Sequence, residues 1–153
     1  FNSRFVSLAN LTDSSLQYRL KIWRGTWEAV RVFWLWGAGP GSFQAVYPRF
    51  QIGNTVSQHA HQLFLQFWLE HGFTGLLAFL AALKRLFSGC WRAGASPETK
   101  TLALVLALFL AFGMSETWYI QPLMGGYFWF FTGLLQASKR IAHVSVIQNK
   151  IEP

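Results

Sequence analysis

The stretch SQHAHQLFLQFWLEHGFTGLLAFLAALKR, residues 57–85, decides the fold. Two histidines precede a long apolar run, and the run ends in a Lys-Arg pair. The apolar part after His71 cannot cross a bilayer alone, because a spanning helix needs about 20 residues. We therefore predict a membrane helix over residues 62–83, which carries Glu70 and His71 into the apolar run.

The composition favours a membrane protein. The 153 residues are 52% hydrophobic, 18% aromatic and 12% charged, with a net charge of +7. The charged share is about half that of a soluble domain. Such hydrophobicity disfavours a disordered chain, and the sparse charge disfavours a nucleic-acid binder. The single cysteine, Cys90, excludes an intramolecular disulfide and a cysteine-rich zinc site. The sequence opens without a methionine or a signal peptide, so we expect a C-terminal fragment of a longer protein.

Two further apolar segments, residues 101–120 and 121–138, are predicted to span the membrane. Apolar runs of this length also form core helices of soluble proteins, but basic pairs at the ends of two runs favour membrane helices. The positive-inside rule assigns the basic loop 84–100 and the tail 139–153 to the cytoplasm. Three crossings then place residues 1–61 outside. The expected fold class is all-α, a polytopic membrane protein with about three transmembrane helices.

The extracytoplasmic segment contains an amphipathic helix over about residues 15–35. The sequence SSLQ at residues 14–17 matches a capping box, which predicts the helix start. Apolar residues then recur at helical spacing, which places them on one face: Leu16, Leu20, Trp23, Trp27, Val30 and Trp34. This pattern is typical of a helix in the membrane interface, and equally of a helix packed against another part of the protein.

Three arginines, Arg19, Arg24 and Arg31, flank this apolar face. The planar guanidinium matches phosphate oxygens in a bidentate geometry. We interpret the arginines as phosphate-binding candidates, with contact to lipid head groups as the alternative.

Glycines alternate in the sequence WGAGPGSF at Gly37, Gly39 and Gly41. Glycine permits positive φ and a close approach of backbone to ligand, although a plain turn needs the same residues. The segment matches neither a P-loop nor a dinucleotide-binding fingerprint.

The histidines His59 and His61 share a face if the chain is extended there. A metal site needs further ligands, and Glu70 and His71 begin about 13 Å further along a helix, so no metal site is predicted. An imidazole beside the mouth of a membrane helix suits proton abstraction from a sugar hydroxyl. His61 is therefore the candidate base, and a structural histidine is the alternative.

The order of these pieces resembles the bacterial O-antigen ligase/polymerase family. The resemblance covers residues 15 to about 83, through YRLKIWRGTWEAV, WGAGPGSFQAVYP and AHQLFLQFWLEHGFTGLLAFL. One position departs from the pattern, since Gln62 stands where the family usually has asparagine. The matching positions are Arg19, Trp23, Gly37, Gly39, Gly41, Phe43, Ala60, His61, Glu70, Gly72 and Gly75.

The resemblance implies a fold and an activity. The fold is a GT-C-like helical bundle in the bacterial inner membrane, with its active face in the periplasm. The activity is an inverting, metal-independent and cofactor-free glycan transfer in lipopolysaccharide biosynthesis. The donor is an oligo- or polysaccharide on undecaprenyl diphosphate, and the acceptor is a hydroxyl of lipid A core, of another glycan or of a protein.

The resemblance also implies roles for individual residues. The catalytic candidates are His61, Arg19 and Glu70. The substrate-binding candidates are Arg24, Arg31, Gly37, Gly39, Gly41 and Gln62. Membrane lipids are expected contacts, and nucleic acid is not. Two other readings stay open: a membrane transporter for a small anion such as inorganic carbon, and a non-catalytic scaffold.

Overall fold

A computed structural model describes residues 14–151, which are all-helical apart from turns and loops. The first thirteen residues of the predicted extracytoplasmic segment and the last two of the predicted tail lie outside the described residues. The described residues contain five α-helices, two short 3-10 helices and no strand. The α-helices are α1 (Ser14–Val32), α2 (Phe43–Val46), α3 (Leu63–Phe87), α4 (Pro97–Phe112) and α5 (Pro122–Ile151), and the 3-10 helices are Tyr47–Arg49 and Trp118–Ile120.

The contacts divide the chain into two compact units. The first unit runs to Leu77 and includes the separate segment Met114–Thr117, and the second contains Ala78–Gly113 and the chain from Trp118 onwards. The candidate site lies in the first unit.

Helix α1 buries a face that only partly overlaps the predicted apolar stripe. Trp27 and Trp34, both on that stripe, are 41% and 52% exposed. The buried side chains are smaller, which allows close packing. They share only Val30 with the stripe, and the others lie beside it: Ile22, Thr26 and Ala29. The aromatic stripe is therefore left largely free of the core, as a helix at a membrane interface requires.

The core of the first unit forms where α1 meets the segment after the glycine turn. Phe43 and Tyr47 stack with ring centroids 4.9 Å apart, and both are buried. Ile22 of α1 and Leu69 of α3 belong to the same buried cluster. Each fully buried large apolar side chain contributes about 1.5–3 kcal/mol, so this cluster fixes α1 against the start of α3.

Helix α3 is interrupted at Gly72, where φ is 71° and ψ is −178°. The interruption follows from a backbone crossing with the glycine turn. Phe73 donates its N–H to the carbonyl of Trp34 at 2.7 Å, and Ala38 donates to the carbonyl of Leu69 at 2.8 Å. The helix predicted over 62–83 is thus two helical segments joined by a glycine.

Among the described helices, α3 alone is long and apolar enough to cross a membrane. Helix α4 has 16 residues and is therefore about 24 Å long, less than the roughly 30 Å of a hydrocarbon core. It starts and ends earlier than the predicted span 101–120. Helix α5 extends beyond the predicted span 121–138, through most of the predicted tail. Three membrane crossings therefore stay a prediction.

The second unit pairs α4 with α5 and also contains the last part of α3. Ser96 caps α4, because its hydroxyl accepts the N–H of Thr99 at 3.2 Å. The Thr99 hydroxyl in turn lies 2.7 Å from that of Ser138 on α5. The interior is lined by Ala103, Leu106, Phe128 and Leu135.

Candidate active site

A carboxylate in the first unit joins an arginine to a histidine. Oε1 of Glu116 lies 3.2 Å from Nη2 of Arg19, and Oε2 of Glu116 lies 3.3 Å from Nδ1 of His61. Arg19 also donates from Nη1 to the carbonyl of Ser115 at 3.4 Å. The side chains of Arg19, His61 and Glu116 are 35%, 25% and 28% exposed. Partial burial makes such charge pairs stronger than in bulk water and leaves the cluster accessible.

Each member of the cluster comes from a different element. Arg19 is on α1, His61 precedes α3, and Glu116 lies in the segment between α4 and the 3-10 helix Trp118–Ile120. The Glu116 segment is non-helical because α4 ends at Phe112. The apolar run predicted as one helix over 101–120 is thus interrupted where it supplies the carboxylate.

The position of His61 is fixed by hydrogen bonds on both sides of it. After it, the side-chain oxygen of Gln62 accepts the N–H of Leu65 and caps α3. Before it, Ala60 donates its N–H to Oε1 of Gln66 at 2.8 Å. Gln62 was predicted to bind substrate, and the structure uses its amide oxygen to start the helix.

His61 has a strained backbone. Its φ is +50°, and among the described residues it is the only non-glycine residue with positive φ. Such a conformation costs of order 1–3 kcal/mol and is concentrated at functional sites, where it aims a side chain. Of the two histidines only His61 has this strain, an observation independent of the sequence argument that selected His61 from its place beside the long helix.

His59 lies against His61, with ring centroids 4.0 Å apart. Its Nδ1 is buried and has no hydrogen-bond partner among the described residues. Burial lowers the pKa of His59 below its usual value, and the neighbouring His61 lowers it further. His59 is therefore neutral near pH 7.

Glu70 is linked through Gln66 to the loop that carries His61. It is buried, and its Oε1 accepts a hydrogen bond from Nε2 of Gln66 at 3.1 Å. Because Gln66 also holds the N–H of Ala60, a chain of hydrogen bonds leads from Glu70 to the residue before His61. This geometry favours a positioning role for Glu70.

The three glycines of the turn have different environments, although all have positive φ. A Cβ at Gly37 would lie 2.5 Å from the carbonyl oxygen of Glu70 and from the amide nitrogen of Gly72. Gly39 donates its N–H to the carbonyl of Glu70 at 3.0 Å. A Cβ at Gly41 would meet no described atom within 4 Å. Gly37 and Gly39 therefore contact the backbone of α3, whereas there is space beside Gly41 for a side chain.

The predicted arginines are not brought together. Arg19 belongs to the cluster, whereas Arg31 is exposed and pairs with Glu28 on the same helix at 3.5 Å. Arg24 is also exposed. Of the predicted catalytic residues, Arg19 and His61 meet through Glu116.

Glu116 was not among the predicted site residues. The available signal was an isolated acid in SETW, in the one predicted connection without a basic residue. A charge retained at the end of an apolar run needs a partner, and the two partners of Glu116 lie in the segment predicted to be extracytoplasmic.

The arrangement is suited to moving a proton. A carboxylate at Nδ1 selects the imidazole tautomer with its proton on Nδ1, which leaves Nε2 as the base. The same carboxylate stabilises the imidazolium that forms after proton transfer.

Comparisons with known proteins give one match. No curated protein and no solved structure is significantly similar to the chain. The family model described as O-antigen ligase matches residues 1–80, and the matched segment contains Arg19, His61 and Glu70. Glu116 lies outside the matched residues. Because the match covers more than half of the 153 residues, the chain belongs to the O-antigen ligase family.

Proposed function

We propose that this protein transfers an oligo- or polysaccharide from an undecaprenyl-diphosphate-linked donor to an acceptor hydroxyl at the periplasmic face of the bacterial inner membrane. The single observation that carries the proposal is the Glu116 carboxylate, which contacts Arg19 at 3.2 Å and His61 at 3.3 Å. The arrangement supplies a base and a cation without requiring a metal for either. Membership of the O-antigen ligase family supports the glycan class of the substrate.

His61 acts as the general base in this proposal. Its Nε2 takes the proton of the acceptor hydroxyl as that oxygen attacks the anomeric carbon. The bond from the anomeric carbon to the diphosphate oxygen breaks, and its electron pair leaves with the diphosphate. Attack from the face opposite the diphosphate inverts the anomeric centre. A positioned base contributes about 10²–10⁴ in rate.

The departing diphosphate gains charge, which cations stabilise. Arg19 supplies one cation in the cluster, and its guanidinium has donor groups beyond those that contact Glu116 and the carbonyl of Ser115. Arg24 and Arg31 are exposed on α1 and serve as further phosphate or head-group contacts. Glu70 holds the loop before His61 and does not enter the bond changes.

The membrane setting is supported by exposed apolar surface in both units. In the first unit, Trp27 on α1 and Trp34 just after it are exposed. In the second, large apolar side chains are exposed along α4 and α5, as lipid contact requires: Leu104, Leu108, Phe112, Trp129, Phe130 and Ile141. The basic residues near the predicted loop 84–100 favour a cytoplasmic position for that loop.

The proposal is tested by reconstituting the full-length protein in liposomes with an undecaprenyl-diphosphate-linked glycan and an acceptor. We expect a glycan-acceptor product and release of undecaprenyl diphosphate in equal amounts. Anion uptake without product would instead favour the transporter reading.

Glu116→Gln tests the carboxylate itself. Because the amide neither selects the tautomer nor stabilises the imidazolium, we expect a loss of about 10² or more in rate, near the lower bound for losing the base. Glu98→Gln is the matched control, since Glu98 is fully exposed on α4, and its rate should equal that of the wild type. A wild-type rate in Glu116→Gln contradicts the role given to the carboxylate.

A further inference from the structure

Beside the active-site cluster lies a further histidine, His59, that proton transfer does not use. His59, His61 and Glu116 each offer one potential ligand atom, and these atoms lie within 4.8 Å of one another. Two imidazoles and one carboxylate are a ligand set that zinc accepts, with a fourth position left for water. The sequence had supplied only the His-x-His pair, because Glu116 is 55 residues from His61.

The spacing of these atoms is near that of a zinc site. Two ligands of a tetrahedral zinc, each at about 2.0–2.1 Å, lie roughly 3.4 Å apart. Nδ1 of His61 and Oε2 of Glu116 are already 3.3 Å apart. All separations in the trio are within 4.8 Å, so none has to close by more than about 1.4 Å to reach that tetrahedral spacing.

A second observation comes from His59. Its Nδ1 is buried without a hydrogen-bond partner among the described residues. Leaving a buried polar atom unpaired costs about 1–3 kcal/mol, and a cation bound by this nitrogen would remove that cost. The unpaired nitrogen is an observation independent of the ligand spacing. It belongs to His59, the one residue of the trio to which the proposed transfer gives no role.

Arg19 fits the same arrangement as an outer partner. It occupies Oε1 of Glu116 and leaves Oε2 facing His61. Ligating carboxylates in metal sites are commonly held by such hydrogen bonds. The arginine charge weakens cation binding but does not block the ligand atoms.

We propose that His59, His61 and Glu116 form a site for a zinc-type divalent cation, and that the bound cation inhibits glycan transfer. An imidazole that gives its Nδ1 lone pair to a metal carries its proton on Nε2. His61 in that state cannot accept the proton of the acceptor hydroxyl. The inhibition rests on the proposed function, whereas the metal binding does not.

Metal binding is measured first, with zinc alone and the purified full-length protein in detergent, by competition with a chromogenic chelator. We expect one zinc per chain, and a loss of affinity of about tenfold or more in His59→Ala, at least the effect of removing an outer partner. His71→Ala is the matched control, because His71 stacks on Phe67 and is not in the trio. Equal zinc affinity in wild type and His59→Ala overturns the site, whether or not the protein transfers glycan.

Inhibition is then measured in the reconstituted transfer reaction with and without zinc. We expect zinc to inhibit the wild type and His71→Ala, and a chelator to restore the rate. His59→Ala should keep its basal rate and need about tenfold or more zinc for the same inhibition, in line with its weaker binding. Equal inhibition of wild type and His59→Ala overturns the inhibitory role. Zinc binding without any transfer by the wild type would leave the site standing and refute the proposed function.

Discussion

The residue that organises the candidate site is Glu116, because its two oxygens serve different partners. Oε1 contacts Arg19 and Oε2 contacts His61. The sequence identified both partners, Arg19 from its place beside an apolar helix face and His61 from its place before a long apolar run. It did not identify Glu116, because a contact across 55 residues leaves no local pattern.

Arg19→Lys tests whether the site needs a guanidinium or only a positive charge. A lysine keeps the charge but loses the fork that reaches both Glu116 and the carbonyl of Ser115. Losing one charge-assisted hydrogen bond costs about 1.5–3 kcal/mol, which corresponds to a transfer rate roughly 10–10² lower. The measurement is the initial rate of product formation in liposomes.

Arg24→Lys is the matched control, since Arg24 is exposed on the same helix. The rate of Arg24→Lys should stay within about twofold of the wild-type rate, because the substitution keeps an exposed positive charge. A wild-type rate in Arg19→Lys together with a reduced rate in Arg24→Lys would indicate that Arg24, and not Arg19, binds the diphosphate.

At the scale of elements, the main feature is the crossing between the glycine turn and α3. Gly37 and Gly72 bring their backbones so close that a Cβ on Gly72 would lie 2.2 Å from the carbonyl oxygen of Leu35. The sequence predicted a turn at Gly37 and a helix through Gly72. It did not predict that the two would meet, because the hydrophobic pattern of α3 continues through the interruption.

A comparison of Gly37→Ala with Gly41→Ala tests this crossing. Both glycines have similar φ, 76° and 72°, so both substitutions carry the left-handed penalty of about 1–2 kcal/mol. Only Gly37→Ala adds a clash with backbone, at 2.5 Å. We expect a clearly lower melting temperature in detergent for Gly37→Ala than for Gly41→Ala. Equal melting temperatures would contradict the close crossing.

At the scale of the whole molecule, the sequence indicated an all-helical membrane protein and the described residues are all-helical. The predicted spans agree less well, because apolar character does not show where a helix stops. Helix α4 ends at Phe112, and the apolar sequence continues as a turn and a 3-10 helix. The carbonyls of such a turn need partners outside a helix, as Ser115 has in Arg19, and composition does not reveal those partners.

The predicted topology is tested with introduced cysteines. Cys90 is buried and cannot serve as the probe. In a Cys90→Ala background, Ser88→Cys places an exposed thiol in the predicted cytoplasmic loop, and Asn54→Cys places one in the predicted periplasmic segment. In spheroplasts, a membrane-impermeant thiol reagent should label Asn54→Cys only, and permeabilisation should add Ser88→Cys. Labelling of Ser88→Cys without permeabilisation would invert the topology.

The central claim, that His61 removes the acceptor proton, is tested most directly by comparing His61→Ala with His59→Ala. The two imidazoles lie 4.0 Å apart, so both changes remove the same group from the same loop. Only His61 contacts Glu116 and has the strained backbone. The measurement is the rate of glycan transfer by each reconstituted variant in zinc-free buffer, with membrane insertion verified. We expect a loss of about 10²–10⁴ for His61→Ala, the range for removing a general base, and a rate close to the wild type for His59→Ala. A wild-type rate in His61→Ala, or an equal loss in both variants, would contradict the claim.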